Sequence, residues 1–596
     1  MSQMLGLSNY FRSRKAIQRS PHAWLIGLAA LLAGFSLAGR LEAQVQSGTG
    51  KTPRRVLQSR WELEPDLDVI WLIRTPKQPV LVDIAAVKST SLEERVATMQ
   101  KIVLDAEYGY KNQPDALEAV LESLAGEIKN DSKRSAKLAT LSAALKLATN
   151  LAEAERVWAV AEGDPIAKQA EKSMKAWKSK LPLQRWRDRL QDSPGIYDVN
   201  GVMLAIDGIG AAGDATDRDL LVEELFDSNS STPVQLNSAK ALGALVAEGQ
   251  EELAKSIRAD ESVPDWFRDL LAAEILQKHR TPETIEICQS ILAGECAPAR
   301  HLALKTIART DLELGMQLAA KLIQDEESSI RLASVKILQQ SDEVRDLNLQ
   351  AQALTDPNSN IRTRVRQNLQ AKSKNPELSS AINDIIGSQL RSERWEGIEQ
   401  AIQLSIYLRQ HERVPVLTGL LTHPRAEVKL WAAWAMQQLK QTPESLDAIH
   451  RQCQTMTQRI AAEEFLTKDE VLATAFLFEA LGSNRYMPAS EMLMLYVPKQ
   501  DQLMRATTRC SAIFALGLIW EQEKNPKLAK SLVQRMLDDG DNPDEDTVRY
   551  ASATSVGRVG SAKLIPQFQR LIDEAPPNQI SIASAWAAEQ LQSAEK

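Results

Sequence analysis

From about Gly201 to the C-terminus one helical pattern returns at a spacing of roughly 31–45 residues, usually near 33. Its copies begin at Gly201, Val234, Phe267, Ala299, Ile330, Ile361, Trp395, Val428, Ala473, Thr508, Val548 and Ile580. Apolar or small residues recur at the first position, five later and eight later, as in Ile330/Val335/Leu338, Val428/Ala433/Met436 and Val548/Ala553/Val556. A unit of this length cannot bury its apolar stripe alone and does so by stacking on its neighbours. Single cores stop growing at about 250–300 residues. This chain has 596, and a stack in which each unit touches only its neighbours escapes that limit. Glycine is sparse while Ala, Leu and Gln abound, which favours helix. The expectation is an all-α chain, an α-α superhelix that presents a long binding surface.

Each unit reads as a first helix, an acidic turn and the marked second helix, as in Leu312–Gln324, Asp325, Ser329–Gln340. An Asp precedes an Arg by six positions at Asp325/Arg331 and Asp356/Arg362, and Arg or Lys recurs one place after the start at Arg268, Arg300, Lys429, Arg509 and Arg549. An Asp in the turn can cap the second helix, and an Arg from a neighbouring unit can reach it, giving a ladder of contacts. The pattern, Asp325 followed by Ile330-Arg331-Leu332-Ala333-Ser334-Val335, resembles the HEAT repeat of the armadillo-like superhelix family, as an exported, bacterial-type member. The resemblance covers about two thirds of the chain. It implies a right-handed superhelix of helical hairpins whose second helices line the concave face, and a binding or scaffolding role. His423 stands where the eighth unit would have its Asp, and Gln235 where the second would have its Arg; these units are expected to lack the ladder contact.

The N-terminus reads as an address. Arg12, Arg14, Lys15 and Arg19 precede the 16-residue apolar run Trp24–Gly39, and Ala43 closes a small-residue cleavage site. Residues 1–43 are read as a secretory signal or, uncleaved, as an N-terminal membrane anchor, although the run is short of the ~20 residues that cross a bilayer comfortably. Either would place the chain outside the cytoplasm, in a periplasm or cell envelope. Residues 44–63 read as a flexible tether, 64–197 as an irregular helical region and 198–596 as the solenoid. In residues 64–197, helices are expected near Leu92–Tyr108, Asp115–Lys129, Ser132–Thr149, Ala152–Glu162 and Pro165–Lys178, either as divergent repeats or as a separate cap; Val69–Val87 reads as a short strand or a turn-linked helix pair. The formal charge is −7, and residues 1–43 hold five basic residues against one acidic, so the remainder stands at −11. A net acidic chain gives no reason to expect nucleic acid. Cys288 and Cys296 are close enough in sequence for a bridge in an oxidising compartment, or are simply buried thiols.

Catalytic signals are weak. Residues 45–52 imitate a phosphate loop, but no strand precedes Gly48-Thr49-Gly50-Lys51-Thr52 and no helix follows it. Deoxyhypusine hydroxylases, which are HEAT-like, hold iron with repeated His-Glu pairs; this chain has one such pair, His411-Glu412. The acidic run 538–546 misses the EF-hand pattern and reads as a loop before a helix capped by Asp546. No metal or cofactor is expected. HEAT-like repeats also resemble those of bilin lyases, so an enzyme-associated protein handling a ligand is a second reading. The basic stretch Lys168–Arg189, with Trp177 and Trp186 inside it, gives a third: attachment to anionic lipid or glycan.

The repeat register names candidate partner-binding residues. At about 100° per residue the core positions centre near 60°, and the sixth position after the start falls near 240°, opposite them. That position is aromatic at Trp434, Phe514 and Trp586 and basic at Lys240, Lys305 and Lys336. The expectation is an exposed aromatic patch in the C-terminal third, a common mark of protein-binding hot spots, and a basic row nearer the N-terminus.

Overall fold

A computed structural model describes residues 57–65, 67, 79–106, 109–191, 198–227, 230–499, 505–574 and 578–594. The signal or anchor segment, the loop 45–52 and most of Val69–Val87 lie outside these residues. No strand occurs among the described residues, whose one isolated bridge joins Val80 and Tyr110. No described helix is long and apolar enough to cross a membrane. The protein is an all-α, α-α superhelical solenoid of the HEAT/armadillo kind.

Twelve second helices stand where the repeat places them. They are Val199–Ala212, Thr232–Leu245, Asp265–Ile275, Ala297–Thr310, Ser328–Leu338, Ser359–Lys372, Trp395–Tyr407, Ala426–Gln438, Lys468–Ser483, Ala506–Ile519, Asp546–Val559 and Gln579–Ser593, the second helices of units 1 to 12. Each packs on the next in unbroken succession, with its own first helix behind it. In unit 7 the start, Trp395, is only half-buried, under the guanidinium of Arg425 at 4.8 Å from the ring centre, while Gln400 and Gln403, five and eight places on, are buried.

Local chemistry sets the helix ends. Pro233, Pro282, Pro443 and Pro526 occupy first-turn positions, where a missing N–H is harmless. Thr467 and Glu470 form a reciprocal capping box at the start of the unit 9 second helix. The turn aspartates act differently from expectation. Asp325 and Asp356 accept the amides of Glu327 and Asn358, two residues on, at 2.9 and 2.7 Å. They brace the turn rather than cap the helix. The helix after the acidic run likewise has Glu545, not Asp546, at its N-cap, and no side chain caps it.

The arginine ladder forms between units. Arg300 pairs with Asp325 of the next unit, Arg331 with Asp356 at 2.7 and 3.0 Å, and Arg509 with Asp544 at 2.6 and 2.8 Å. At Asp544, burial pushes the carboxyl up, but the hydrogen bonds and charge of Arg509 outweigh it and hold the group below its usual range. A second ladder runs along the C-terminal ends of the second helices. Lys278, Arg309 and Lys372 donate to the carbonyls of Ala244, Gln277 and Ser341 in the preceding units. The carbonyls of Ala244 and Gln277 lie in the last turns of their helices, where a cation complements the dipole, and that of Ser341 lies just beyond one.

Upstream of unit 1 the stack continues. Leu92–Asp105, Arg134–Leu147 and Ala167–Ala176 pack successively and lead onto Val199–Ala212, with Gln113–Lys129, Leu151–Ala161 and Leu183–Gln191 behind them. The helices in residues 64–197 therefore pack as divergent hairpins of the same stack, and residues 59–596 form one compact unit.

Candidate binding face

Position +6 behaves differently in the two halves of the second-helix face. In units 4, 5 and 6 it is exposed, at Lys305, Lys336 and Gln367. In units 8 to 11 it is buried, at Trp434 (7% exposed), Glu479 (0%), Phe514 (1%) and Thr554 (2%). Trp434 and Phe514 therefore do not form an exposed ring patch. Trp434 makes an edge contact with Trp431 at 5.4 Å, and Phe514 lies under the Arg558 guanidinium at 4.9 Å. Trp586 is half-buried against Gly557.

Along this face neighbouring second helices approach closely. In units 9, 10 and 11 the residue nine places after the start is Gly482, Gly517 or Gly557. A Cβ there would lie 2.4 Å from Ala515 Cα, 2.7 Å from Ser555 Oγ and 2.8 Å from the Trp586 ring, respectively. Glycine lets the next backbone come that near. The seam reaches round to position +6 in units 9 to 11, but glycine alone does not set this: Gly210 and Gly243 stand at the same place in units 1 and 2, where Asp207 and Lys240 are half-buried, and unit 8 buries Trp434 with Gln437 there. Units 5 and 6 carry Gln339 and Gln370 at the same place.

The basic row is brought together but is not bare. Lys240 lies 4.0 Å from Glu274, a buried carboxylate on the intervening unit. Burial raises the Glu274 pKa, opposed by the charges of Lys240 and Lys305. His301 sits beside Lys305 and Lys336; burial, then these two charges, hold its pKa down against the hydrogen bond with the Ser329 carbonyl. The row is thus an ionic seam of Lys240, Glu274, Lys305, His301 and Lys336 across units 2 to 5.

The residues that complete the C-terminal face come from the expected tether. Residues Arg60–Glu62 form a single 3-10 turn that lies against the unit 10 second helix. Trp61 is only 5% exposed. The Arg60 amide donates to Glu479 Oε2 at 2.7 Å, across 419 residues of sequence. Its guanidinium donates to Ser483 Oγ at 2.6 Å. The end of the expected flexible tether is therefore docked, because it carries a large apolar ring and donors that match the groove. Glu479 collects two further donors, Gln437 from unit 8 and Ser511 from unit 10 at 2.6 Å. Burial pushes its carboxyl up to about 7, while Ser511, the Arg60 amide, Gln437 and the Arg60 charge pull the other way. By register alone Glu479 is one more polar residue at the sixth position after a start. Its one legible signal was a carboxylate in a unit otherwise apolar from Ala473 to Leu481, apart from Thr474.

The other candidates resolve as structure. Most of the basic stretch is paired internally. Lys168 meets Asp198 at 2.6 Å, Lys175 meets Asp207 at 2.7 Å, Arg187 meets Asp217 at 2.6 Å and Arg189 meets the fully buried Glu171 at 2.7 Å. Trp186 is buried and donates to the same Glu171. In the acidic run, Asp538, Asp539 and Asp544 face Arg535, Arg570 and Arg509. Cys288 and Cys296 are both free thiols, the first buried. His411 accepts the Lys440 amide at 3.0 Å. Among the described residues no group of three or more His, Cys, Asp or Glu is arranged to hold a metal ion.

No protein-family model matches the chain, and no curated protein matches it. Solved structures with a similar helical-repeat fold include importin beta in an ammonium sulfate condition, at 13% identity, TM-score 0.42, over 85% of this chain and 72% of that one. Kap95p, in a structure concerning its binding of RanGDP, is similar at 13% identity and TM-score 0.47 over 86% and 72%. Kap121p bound to Ste12p is similar at 12% identity and TM-score 0.40 over 85% and 55%. The fold assignment rests on the helix packing above.

Proposed function

We propose that this chain is an exported, non-enzymatic scaffold that binds another protein through its second-helix face. One observation carries the reading: that face already holds a short protein segment, Ser59–Glu62, by burial of an indole and capture of a main-chain amide. The open part of the same face, units 2 to 6, offers Lys305 and Lys336 to a partner with acidic side chains. Export rests on the signal-like residues 1–43. The neighbours in structure that are bound to proteins, such as Kap121p with Ste12p, are examples of the scaffold class rather than guides to this chain's partner.

Photocrosslinking residues placed at Lys240 or Gln367, at the two ends of the row, and separately at Lys321 on a first helix, test the reading in intact cells. A partner trapped from the second-helix positions and lost in the Lys305→Glu/Lys336→Glu variant is the expected result. Trapping only from Lys321, or none from either face, contradicts it. Residues 1–63 fused to a reporter that is active only outside the cytoplasm test export; an inactive fusion that accumulates inside refutes it.

A further inference from the structure

The docked turn has no core of its own. Three residues in a 3-10 turn cannot hide an indole, so the burial of Trp61 is supplied by the solenoid. The groove meets it with groups of two kinds. Glu479 is a fully buried carboxylate, expensive to desolvate unless every lone pair is matched, and one of its three donors is the Arg60 amide. Ser483 accepts the Arg60 guanidinium. Arg558, half-buried over Phe514, also interacts with the charge of Glu64. Main-chain capture by a fixed carboxylate, a pocket for an aromatic ring and a hydroxyl for the preceding basic side chain together read a short sequence.

We infer that the second-helix face of units 9 and 10 is a peptide-recognition site for an Arg-Trp segment, and that residues Ser59–Glu62 are its resident intrachain ligand. The inference rests on the scaffold reading and names the ligand class of one part of the face. A partner presenting the same basic-aromatic pair must displace the chain's own segment to bind. Its apparent affinity is its intrinsic affinity multiplied by the fraction of time the site is free.

The probe is a labelled synthetic peptide with the sequence of residues 56–66. The chain carrying Arg60→Ala/Trp61→Ala is expected to bind it roughly tenfold or more tightly than the unsubstituted chain, by fluorescence anisotropy. Adding Glu479→Ala, or replacing the tryptophan of the peptide by alanine, is expected to abolish that binding. Equal binding of the alanine peptide, or no binding by a folded double variant, overturns the inference. A second measurement needs no variant. Trypsin cleavage after Arg60 is expected to be slow in the unsubstituted chain and several-fold faster with excess peptide. Rapid cleavage without peptide, or a slow rate that excess peptide leaves unchanged, overturns it. A dimer that dissociates on Trp61→Ala places the segment in a second copy and overturns the intrachain assignment. A partner crosslinked at Gln367 while the peptide fails leaves the scaffold reading standing and removes this one.

Discussion

Units 4 to 6 and units 9 to 11 are built on the same repeat and present opposite faces. In the first set, Lys305, Lys336 and Gln367 stand in solvent; in the second, Glu479, Phe514 and Thr554 at the same register are buried. The contrast shows that the exposure of a solenoid position is set by the distance to the next unit as much as by its angle on its own helix. Gly482 and Gly517 admit a close approach between the C-terminal helices, as Gly210 and Gly243 do between units 1 to 3. The Arg60–Glu62 turn then covers part of that closed seam.

The ladder offers the largest test of that contrast. Arg509 and Asp544 are both nearly enclosed, 7% and 3% exposed, so Arg509→Ala leaves a buried carboxylate whose remaining cation, Arg535, stands 3.6 Å away. The expected loss is about 3–5 kcal/mol. Arg300→Ala in the looser half, with Arg300 18% exposed, is expected to lose about 1–2 kcal/mol. Denaturant melts of both variants compare them directly, and equal losses would erase the distinction between the halves.

Glycine replacement comes next. On a solvated helix Gly→Ala stabilises. At Gly482 the new Cβ meets the Ala515 backbone, so Gly482→Ala is expected to destabilise by about 1–3 kcal/mol. Gln339→Ala at the equivalent place in unit 5 is expected to change stability by less than about 0.5 kcal/mol.

A pH series sharpens the comparison further. The folded chain raises the Glu479 carboxyl from its usual 4.5 to about 7. It therefore binds a proton more readily than the unfolded chain does. Between these two values unfolding releases that proton, so this group makes stability fall as pH rises, and the effect is complete above pH 7. Arg60 is the charged group that opposes the shift. Glu479→Gln keeps an oxygen for Arg60 and Gln437 and an amide for Ser511, and is expected to flatten this part of the profile. An unchanged slope would show that Glu479 is not the titrating group. The smallest expected effect is Lys336→Glu, within about 0.5 kcal/mol of the parent in stability, because the side chain is exposed.

The stack itself was legible because the apolar stripe recurs: ten of the twelve starts are buried, and Trp395 in unit 7 and Ala473 in unit 9 are half-buried. The inter-unit arginine pairs were legible from Asp325/Arg331 and Asp356/Arg362. The faces were not. A helical wheel sees one helix, so it assigned Phe514 to solvent although the neighbouring unit closes over it. Glycine nine places after the start would not have found this closure, since Gly210 and Gly243 stand there in units 1 and 2, whose Asp207 and Lys240 are only half-buried. The docked segment was beyond local reading altogether, because Arg60 and Glu479 are 419 residues apart and a polar, basic stretch after an apolar leader reads as a tether.

Amide hydrogen exchange on the parent chain and on Trp61→Ala tests the central claim, that the C-terminal face is closed in part by the chain's own segment. The parent is expected to protect the Arg60 amide, although it lies in a three-residue turn. The variant is expected to lose that protection and to exchange faster through 468–483 and 506–519, with 297–372 unchanged. Fast exchange at Arg60 in the parent, or no change in 468–519 on Trp61→Ala, would contradict it.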